Sequence, residues 1–196
     1  DVGSVKGVIC AAAEPLYSAA EPARAVFVGG HPLAGSEKRG IAAARHDLFH
    51  GALCILTPTP RTDPAGQGLA LVRRLWLALG ARVLEMDPVV HDRLLAEISH
   101  LPHAAAACLV NAISDEAHAV AARGFLDTTR VASGDPHLWA EICLANRESL
   151  SRSLRALARQ AERLADALGR GDAEGVTGLL ARAKERRDAL ERRTAP

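Results

Sequence analysis

The sequence predicts an α/β layer with a parallel sheet over residues 1–88, followed by an all-helical stretch over residues 89–196. Three observations carry this expectation. Short apolar runs at 25–30, 52–58 and 82–86 alternate with helical patterns of ten or more residues, the separation that parallel pairing requires. At Asp87-Pro88 the texture changes, with an aspartate suited to an N-cap and a proline suited to the first helical turn. Beyond it, Leu150, Leu154, Leu157, Ala161, Leu164 and Leu168 recur at heptad-like spacing.

Each element follows from its own residues. Val5 to Ala20 is alanine-rich and helix-like, with Pro15 expected to kink or end its regular part. Ala25-Val26-Phe27-Val28-Gly29-Gly30 is a strand candidate ending in a glycine turn, and Ala52 to Pro58 is a second, stopped by proline. Leu69, Val72, Leu75, Trp76 and Leu79 fall at i, i+3, i+4 spacing, so they predict a helix with one apolar face. Gly80 ends it, and Arg82 to Met86 is the next strand. After the leucine-striped helix, Gly169 and Gly171 mark a break and Asp172 is placed to cap a last helix carrying Val176, Leu179, Leu180, Ala183 and Leu190. Two long amphipathic helices in so small a domain carry more apolar face than one chain covers, which points to a homodimer.

Composition narrows the function classes. The chain has 196 residues, is 48% hydrophobic and has a net charge of +1, so no basic excess suggests a nucleic-acid partner. Only Lys6, Lys38 and Lys184 are lysines; the other cations are arginines, as a GC-rich genome would give. Cys10, Cys54, Cys108 and Cys143 are scattered without a C-x-x-C and read as reduced thiols of a cytoplasmic protein. No apolar run approaches a membrane span, and no signal peptide is visible. The chain does not start with methionine and opens on Asp1-Val2-Gly3-Ser4, which reads like the end of a strand entered midway. The motifs G-x-x-x-x-G-K-[ST], G-x-S-x-G and G-x-G-x-x-G do not occur.

Three clusters remain for chemistry. In Gly29-Gly30-His31-Pro32-Leu33-Ala34-Gly35-Ser36-Glu37-Lys38, a histidine follows two glycines at the expected carboxyl edge of a strand, where open α/β sheets bind ligands. In Ser99-His100-Leu101-Pro102-His103, with His91 upstream, spacings of nine and three between histidines could suggest zinc, but His-x-x-His alone is common. Two imidazoles on a pocket wall, donating to an anion, fit better, and no metal is expected. In Gly124-Phe125-Leu126-Asp127-Thr128-Thr129-Arg130, continuing to Trp139, a glycine- and threonine-rich loop carries one arginine. A guanidinium there suits bidentate capture of a carboxylate, with an Arg130–Asp127 structural ion pair as the alternative.

Read together, Asp1-Val2-Gly3-Ser4-Val5-Lys6, the GGHPLAGSEKRG run (29–40), Asp47-Leu48-Phe49, Leu56-Thr57-Pro58-Thr59, Leu79-Gly80-Ala81, Met86-Asp87-Pro88 with His91-Asp92, SHLPH (99–103) and FLDTTRVASGDPHLW (125–139) resemble prephenate/arogenate dehydrogenases in order and spacing. The resemblance covers nearly the whole chain. The glycine-rich first βαβ unit of that family is not among these residues and is expected to precede Asp1. A relative among β-hydroxyacid dehydrogenases would not be expected to carry SHLPH and the DTTR segment together.

The resemblance implies the rest. Residues 1–88 would be the second half of a Rossmann-like nucleotide-binding domain, and 89–196 a helical domain forming a homodimer. The activity implied is NAD- or NADP-dependent oxidative decarboxylation of prephenate or arogenate in tyrosine biosynthesis, or a catalytically inactive dimerisation fragment of such an enzyme. His31 would be the catalytic base, and Ser4 would hydrogen-bond the ring hydroxyl and orient His31. Arg130 would hold a substrate carboxylate, His100 and His103 would line the same pocket, and Glu37 would shape access. Gly3 and Ser4 would meet the nicotinamide end of the cofactor.

Overall fold

A computed structural model describes residues 1–17, 26–35, 40–63 and 65–194. The chain forms two compact units, residues 1–151 and 152–196. In the first, a helix α1 (Gly7–Tyr17) precedes strand β1 (Gly29–Leu33), with Pro15 in its last turn; Ser18 to Ala20, the expected end of this helix, lie outside the described residues. Strand β2 (Leu53–Thr57), helix α2 (Gln67–Ala78) and strand β3 (Arg82–Glu85) follow.

The sheet has the order β1-β2-β3. β2 and β3 are parallel, as expected for strands joined through the twelve-residue α2. β1 and β2 are antiparallel, so the sheet is mixed rather than wholly parallel. Among the described residues between them there is only one short 3-10 turn, Ile41–Ala43, in place of a crossover helix.

β1 also begins later than its sequence suggests. Gly29 and Gly30 are strand residues paired with Thr57 and Leu56, and His31 is the strand's central residue opposite Ile55. The two glycines act by close packing. A Cβ on Gly29 would collide with the Thr57 hydroxyl, and one on Gly30 would stand 2.8 Å from the Asp1 carbonyl. Val28, Cys54, Leu56, Trp76 and Ala81 form the core against the sheet, with Phe49 edge-on to Trp76 at 5.0 Å. Of the apolar stripe on α2, Trp76 is buried, whereas Leu75 and Leu79 are exposed.

Helices α3 (Pro88–Leu95) and α4 (Leu101–Ala112) run on from β3. The Asp87 carboxylate accepts from the amides of Val89 (2.7 Å) and Val90 (3.1 Å), and Pro88 occupies the first turn. α5 (Asp115–Ala119), α6 (Arg123–Thr129) and α7 (Pro136–Ala145) complete the set before α8 (Arg147–Gly169). The Gly124–Thr129 segment, expected as a loop, is helical. Thr128 and Thr129 donate to the carbonyls four residues back, at 2.8 and 2.7 Å, and Arg123 pairs with Asp127.

The unit 152–196 holds most of α8 and all of α9 (Ala173–Thr194). Gly171 has φ 66°, a conformation that favours glycine, and Asp172 accepts from the Gly175 amide at 2.8 Å to cap α9. No helix among the described residues is long and apolar enough to cross a membrane.

Candidate active site

The site starts from three backbone decisions. β1 carries His31 into the unit, where it is only 8% exposed. The Asp87-Pro88 cap starts α3 so that His91 and Asp92 both point inward and are buried. α1 packs on α3, and its first amides meet a carboxylate: Asp92 accepts from the amides of Lys6 and Gly7, each at 2.8 Å. Asp92 therefore caps α1 from another helix.

A continuous chain of hydrogen bonds results. The Nδ1 of His91 lies 2.8 Å from the same Asp92 carboxylate, and its Nε2 lies 2.9 Å from the Nδ1 of His31. The His31 and His91 rings meet edge to face, 5.1 Å apart. Lys6, fully buried, donates from Nζ to the Gly30 carbonyl at 2.7 Å and pairs with the Asp1 carboxylate. This pins the Asp1–Ser4 segment beside the strand that holds His31.

His100 joins through a helical irregularity. On a regular α-helix, residues 91 and 100 fall about 180° apart and face opposite ways. Residues Ala96–His100 instead form a π turn, closed by the Leu101 amide on the Ala96 carbonyl. Proline at 102 supplies no N–H for the Ile98 carbonyl, so the regular ladder is already broken there. One additional residue in the turn rotates His100 back by about 100°, and its side chain is buried.

Asn146, also buried, fixes the state of His100. Its Nδ2 lies 2.7 Å from the Asp92 carbonyl, which can only accept, so this atom is the amide donor. The same Nδ2 lies 3.2 Å from the His100 Nδ1, which must then accept, leaving the proton of the neutral ring on Nε2. That Nε2 is buried without a partner among the described residues. A buried donor of this kind suits a ligand oxygen.

His103 and Trp139 form the neighbouring wall. Their rings stack at 3.4 Å, and His100 stands edge-on to Trp139 at 6.3 Å. Gly134 allows this: a Cβ there would stand 2.6 Å from the indole nitrogen. Arg130 is exposed at the start of the 3-10 turn Arg130–Ser133 and acts electrostatically on His103.

The electrostatics favour neutral imidazoles. Burial, then the neighbouring His91, Lys6 and His100, lower the pKa of His31 to about 3 against an opposing pull from Asp92. Burial also lowers His100 to about 4, with His91 and His103 adding to it and Asp92 opposing. His103 is lowered by burial first, with Arg130 adding to it and a backbone bond at Val131 opposing. Burial works against the Asp92 carboxylate, but its bonds to His91, Lys6 and Gly7 outweigh this and hold it below the usual range. Burial lowers the Lys6 ammonium to about 8.

The residues expected to carry chemistry are thus partly gathered. His31 and His100 interact through His91 and Asp92, while His103 and Arg130 interact beside Trp139. Ser4 is half-buried on the pinned segment, and its hydroxyl makes no hydrogen bond to the described residues. The partner that orients the His31 ring is His91. Glu37 lies outside the described residues. From the sequence, Asp92 and Asn146 were not expected as working groups, and beyond the family resemblance His91 was weighed only for a metal site that was not expected. The His91-Asp92 dipeptide just after a helix cap was the available signal. Among the described residues no cluster could hold a metal ion.

Two family models match in sequence order: the nucleotide-binding domain of prephenate dehydrogenase over residues 1–85 and its dimerization domain over 87–182. The Synechocystis arogenate dehydrogenase structure is 33% identical with a TM-score of 0.80, over 97% of this chain and 68% of that one. The chain belongs to the prephenate/arogenate dehydrogenase family. A prephenate dehydrogenase from A. aeolicus, solved with hydroxyphenyl propionate and NAD+, is 35% identical with a TM-score of 0.85, over 97% of this chain and 66% of that one. The Bacillus subtilis prephenate dehydrogenase is 37% identical over 97% of this chain and 51% of its own length. The chain thus spans about half the length of the curated prephenate dehydrogenases it matches.

Proposed function

We propose that this chain carries the substrate-facing half of a prephenate dehydrogenase, which converts prephenate to 4-hydroxyphenylpyruvate and carbon dioxide with NAD or NADP. The observation that carries this reading is the buried, neutral His31 held by a hydrogen-bond chain ending at Asp92. In this reading residues 1–88 are the second half of a Rossmann-like domain, and residues 89–196 are the helical domain that pairs in a homodimer. Reduced thiols at all four cysteines fit a cytoplasmic setting.

The residues near His31 fit the nicotinamide end of the cofactor. Gly3 offers small size and Ser4 a hydroxyl with no partner among the described residues, on a segment pinned to β1 by Lys6. The phosphates of a dinucleotide would need a glycine-rich turn, and the sequence holds no G-x-G-x-x-G. A bound nicotinamide would supply the hydride acceptor for the ring carbon that bears the hydroxyl.

The chain's own residues do the proton and charge work. Neutral His31 accepts the hydroxyl proton as the carbon–hydrogen bond breaks, and Ser4 donates to the same oxygen. Loss of the ring carboxylate as carbon dioxide aromatises the ring and leaves a phenolate oxygen, to which His31 returns the proton. Aromatisation drives the step, so the protein needs chiefly to orient the substrate and manage one proton. Arg130 binds a substrate carboxylate, and the His100 Nε2–H donates to a substrate oxygen. Glu37 shapes access to the pocket.

Replacing His31 tests the assignment. His31→Asn should lower kcat by about 10²–10⁴ with little change in KM. A near-normal kcat would end it. A second substrate, arogenate, is favoured by the similarity to the Synechocystis arogenate dehydrogenase. The two differ in a ketone or amine on the side chain, away from the reacting carbon. Side-by-side kcat/KM values for both substrates decide between them.

A further inference from the structure

We propose that Asp92 and His91 are positioning residues that set the tautomer of His31, so that its Nε2 is the atom that takes the substrate proton. The inference rests on the reading of His31 as the base and adds which of its atoms acts and what fixes it.

The argument is a donor and acceptor account along one line. The Asp92 carboxylate is held ionised by its partners and can only accept. The Nδ1 of His91, 2.8 Å away, must therefore carry a proton. In a neutral His91 ring the Nε2 then has only a lone pair. That lone pair faces the His31 Nδ1 at 2.9 Å, so the His31 Nδ1 must carry a proton and donate. The remaining lone pair of neutral His31 sits on Nε2. Had His91 been placed without Asp92, either ring could flip its proton, and His31 would spend part of its time with Nε2 protonated and useless as a base. Burial of all three groups keeps water from offering an alternative partner.

The Asp92 side chain also ties this line to the segment bearing Gly3 and Ser4, because the amides it accepts belong to Lys6 and Gly7. One carboxylate thus sets both the proton position on His31 and the placement of the helix beginning beside it. No long-range charge transfer is required: the proton stays on His91 throughout, and only its location is used. This parallels a base oriented by a second group through a hydrogen bond to its other nitrogen.

The test combines spectroscopy with two substitutions. Two-bond proton–nitrogen NMR on the 15N-histidine-labelled protein should show both His31 and His91 as Nδ1–H tautomers at neutral pH. His91→Gln keeps a carbonyl able to accept from the His31 Nδ1, and should retain the His31 tautomer with kcat reduced by less than about tenfold. His91→Leu removes the acceptor, and should shift His31 toward Nε2–H with kcat reduced by about 10²-fold or more at nearly unchanged KM. An Nε2–H tautomer at His31, or a doubly protonated His91, in the unsubstituted protein would overturn the proposal even if neither variant folds. So would a folded His91→Leu protein with unchanged kcat. Loss of activity in His31→Asn together with an Nε2–H tautomer would reject the relay alone, whereas full activity in His31→Asn would reject the underlying reading.

Discussion

The cluster around His31, His91, His100 and Asn146 and the C-terminal helices of residues 152–196 solve opposite problems. In the cluster, buried polar groups have their partners set within about 3 Å, except for the His100 Nε2. In the helices, Ala167 is buried, but Leu157, Leu168, Leu180 and Leu190 are each 40% exposed or more. Their polar contacts include exposed ion pairs one helical turn apart, such as Lys184–Asp188 and Arg187–Glu191. Where every partner is specified, a substitution that removes a donor or acceptor strands another buried atom. A stripe of apolar surface is generic: many side chains serve, and what matters is the total area covered. The first arrangement is what chemistry needs, and the second is what assembly needs.

The sharpest way to break this contrast is Asp92→Ala. It removes the acceptor of His91 Nδ1–H and of the Lys6 and Gly7 amides at once. We expect a loss of about 3–5 kcal/mol in unfolding free energy, measured by denaturant titration. A loss below about 1 kcal/mol would mean that water replaces the carboxylate and that the cluster is less tightly specified than its geometry indicates.

The two regions were also unequally legible in the sequence. The helical stripe could be read directly, because its signal is a period within one segment. The same holds for the Asp87-Pro88 cap and for β2, β3 and α2, whose determinants are local. The cluster was read only in part. His31 was located, but as a residue after a strand, since nothing local reveals that Gly29 and Gly30 pair with Thr57 and Leu56. Asp92 acts on Lys6 and Gly7 across 86 and 85 residues of chain, and His91 meets His31 across 60. Such contacts leave no periodicity. The π turn at Ala96–His100 left only Pro102 as a trace, and regular helical spacing would have kept His91 and His100 on opposite faces. Thr128 and Thr129 were read as loop formers by composition, yet their hydroxyls are satisfied inside a helix.

Arg130 sharpens the comparison from the edge of the cluster. It is exposed, so Arg130→Ala should leave the unfolding free energy within about 0.5 kcal/mol. Its effect should appear in KM, at about 2–5 kcal/mol of lost binding, because a substrate carboxylate would be desolvated without its partner. Lysine should rescue poorly, since one ammonium cannot form the guanidinium's two parallel bonds. Steady-state kinetics of both variants decide it, and an Arg130→Ala enzyme with normal KM would remove this residue from the substrate's contacts.

Acid should distinguish the regions next. His31 and His100 have folded pKa values depressed to about 3 and about 4, below the ordinary value of 6.5. As pH falls below about 6.5 the unfolded chain binds protons that the folded state refuses, so stability present above that value is lost down to about pH 4 and beyond. The slope should approach, at most, about 1.4 kcal/mol per pH unit for each residue. His100→Gln should reduce it. Thermal melts between about pH 7 and about pH 4 give the comparison; an identical pH dependence in the variant would show that His100 is not held neutral by burial.

The smallest effect on the fold should come from the helices, and there the contrast is most exposed to failure. Leu168 is 61% and Leu180 57% exposed, so neither supplies much of the burial that stabilises its own chain. Replacing both with arginine should change the unfolding free energy of the separated chain by only about 0.5 kcal/mol per site. If these side chains form part of a dimer seam, however, the substitutions place paired, desolvated cations in an apolar interface, and the assembly cannot tolerate that. Sedimentation at micromolar concentration should therefore show a dimer for the unsubstituted protein and a folded monomer for Leu168→Arg/Leu180→Arg. The interface lost should be of obligate scale, roughly 2,000 Å² or more. The rival explanation is that the exposed leucines merely cover the charged stems around them, in which case the double variant would sediment unchanged. A stable monomer before any substitution would remove assembly as the reason for the stripe, and with it the division of labour between the two regions.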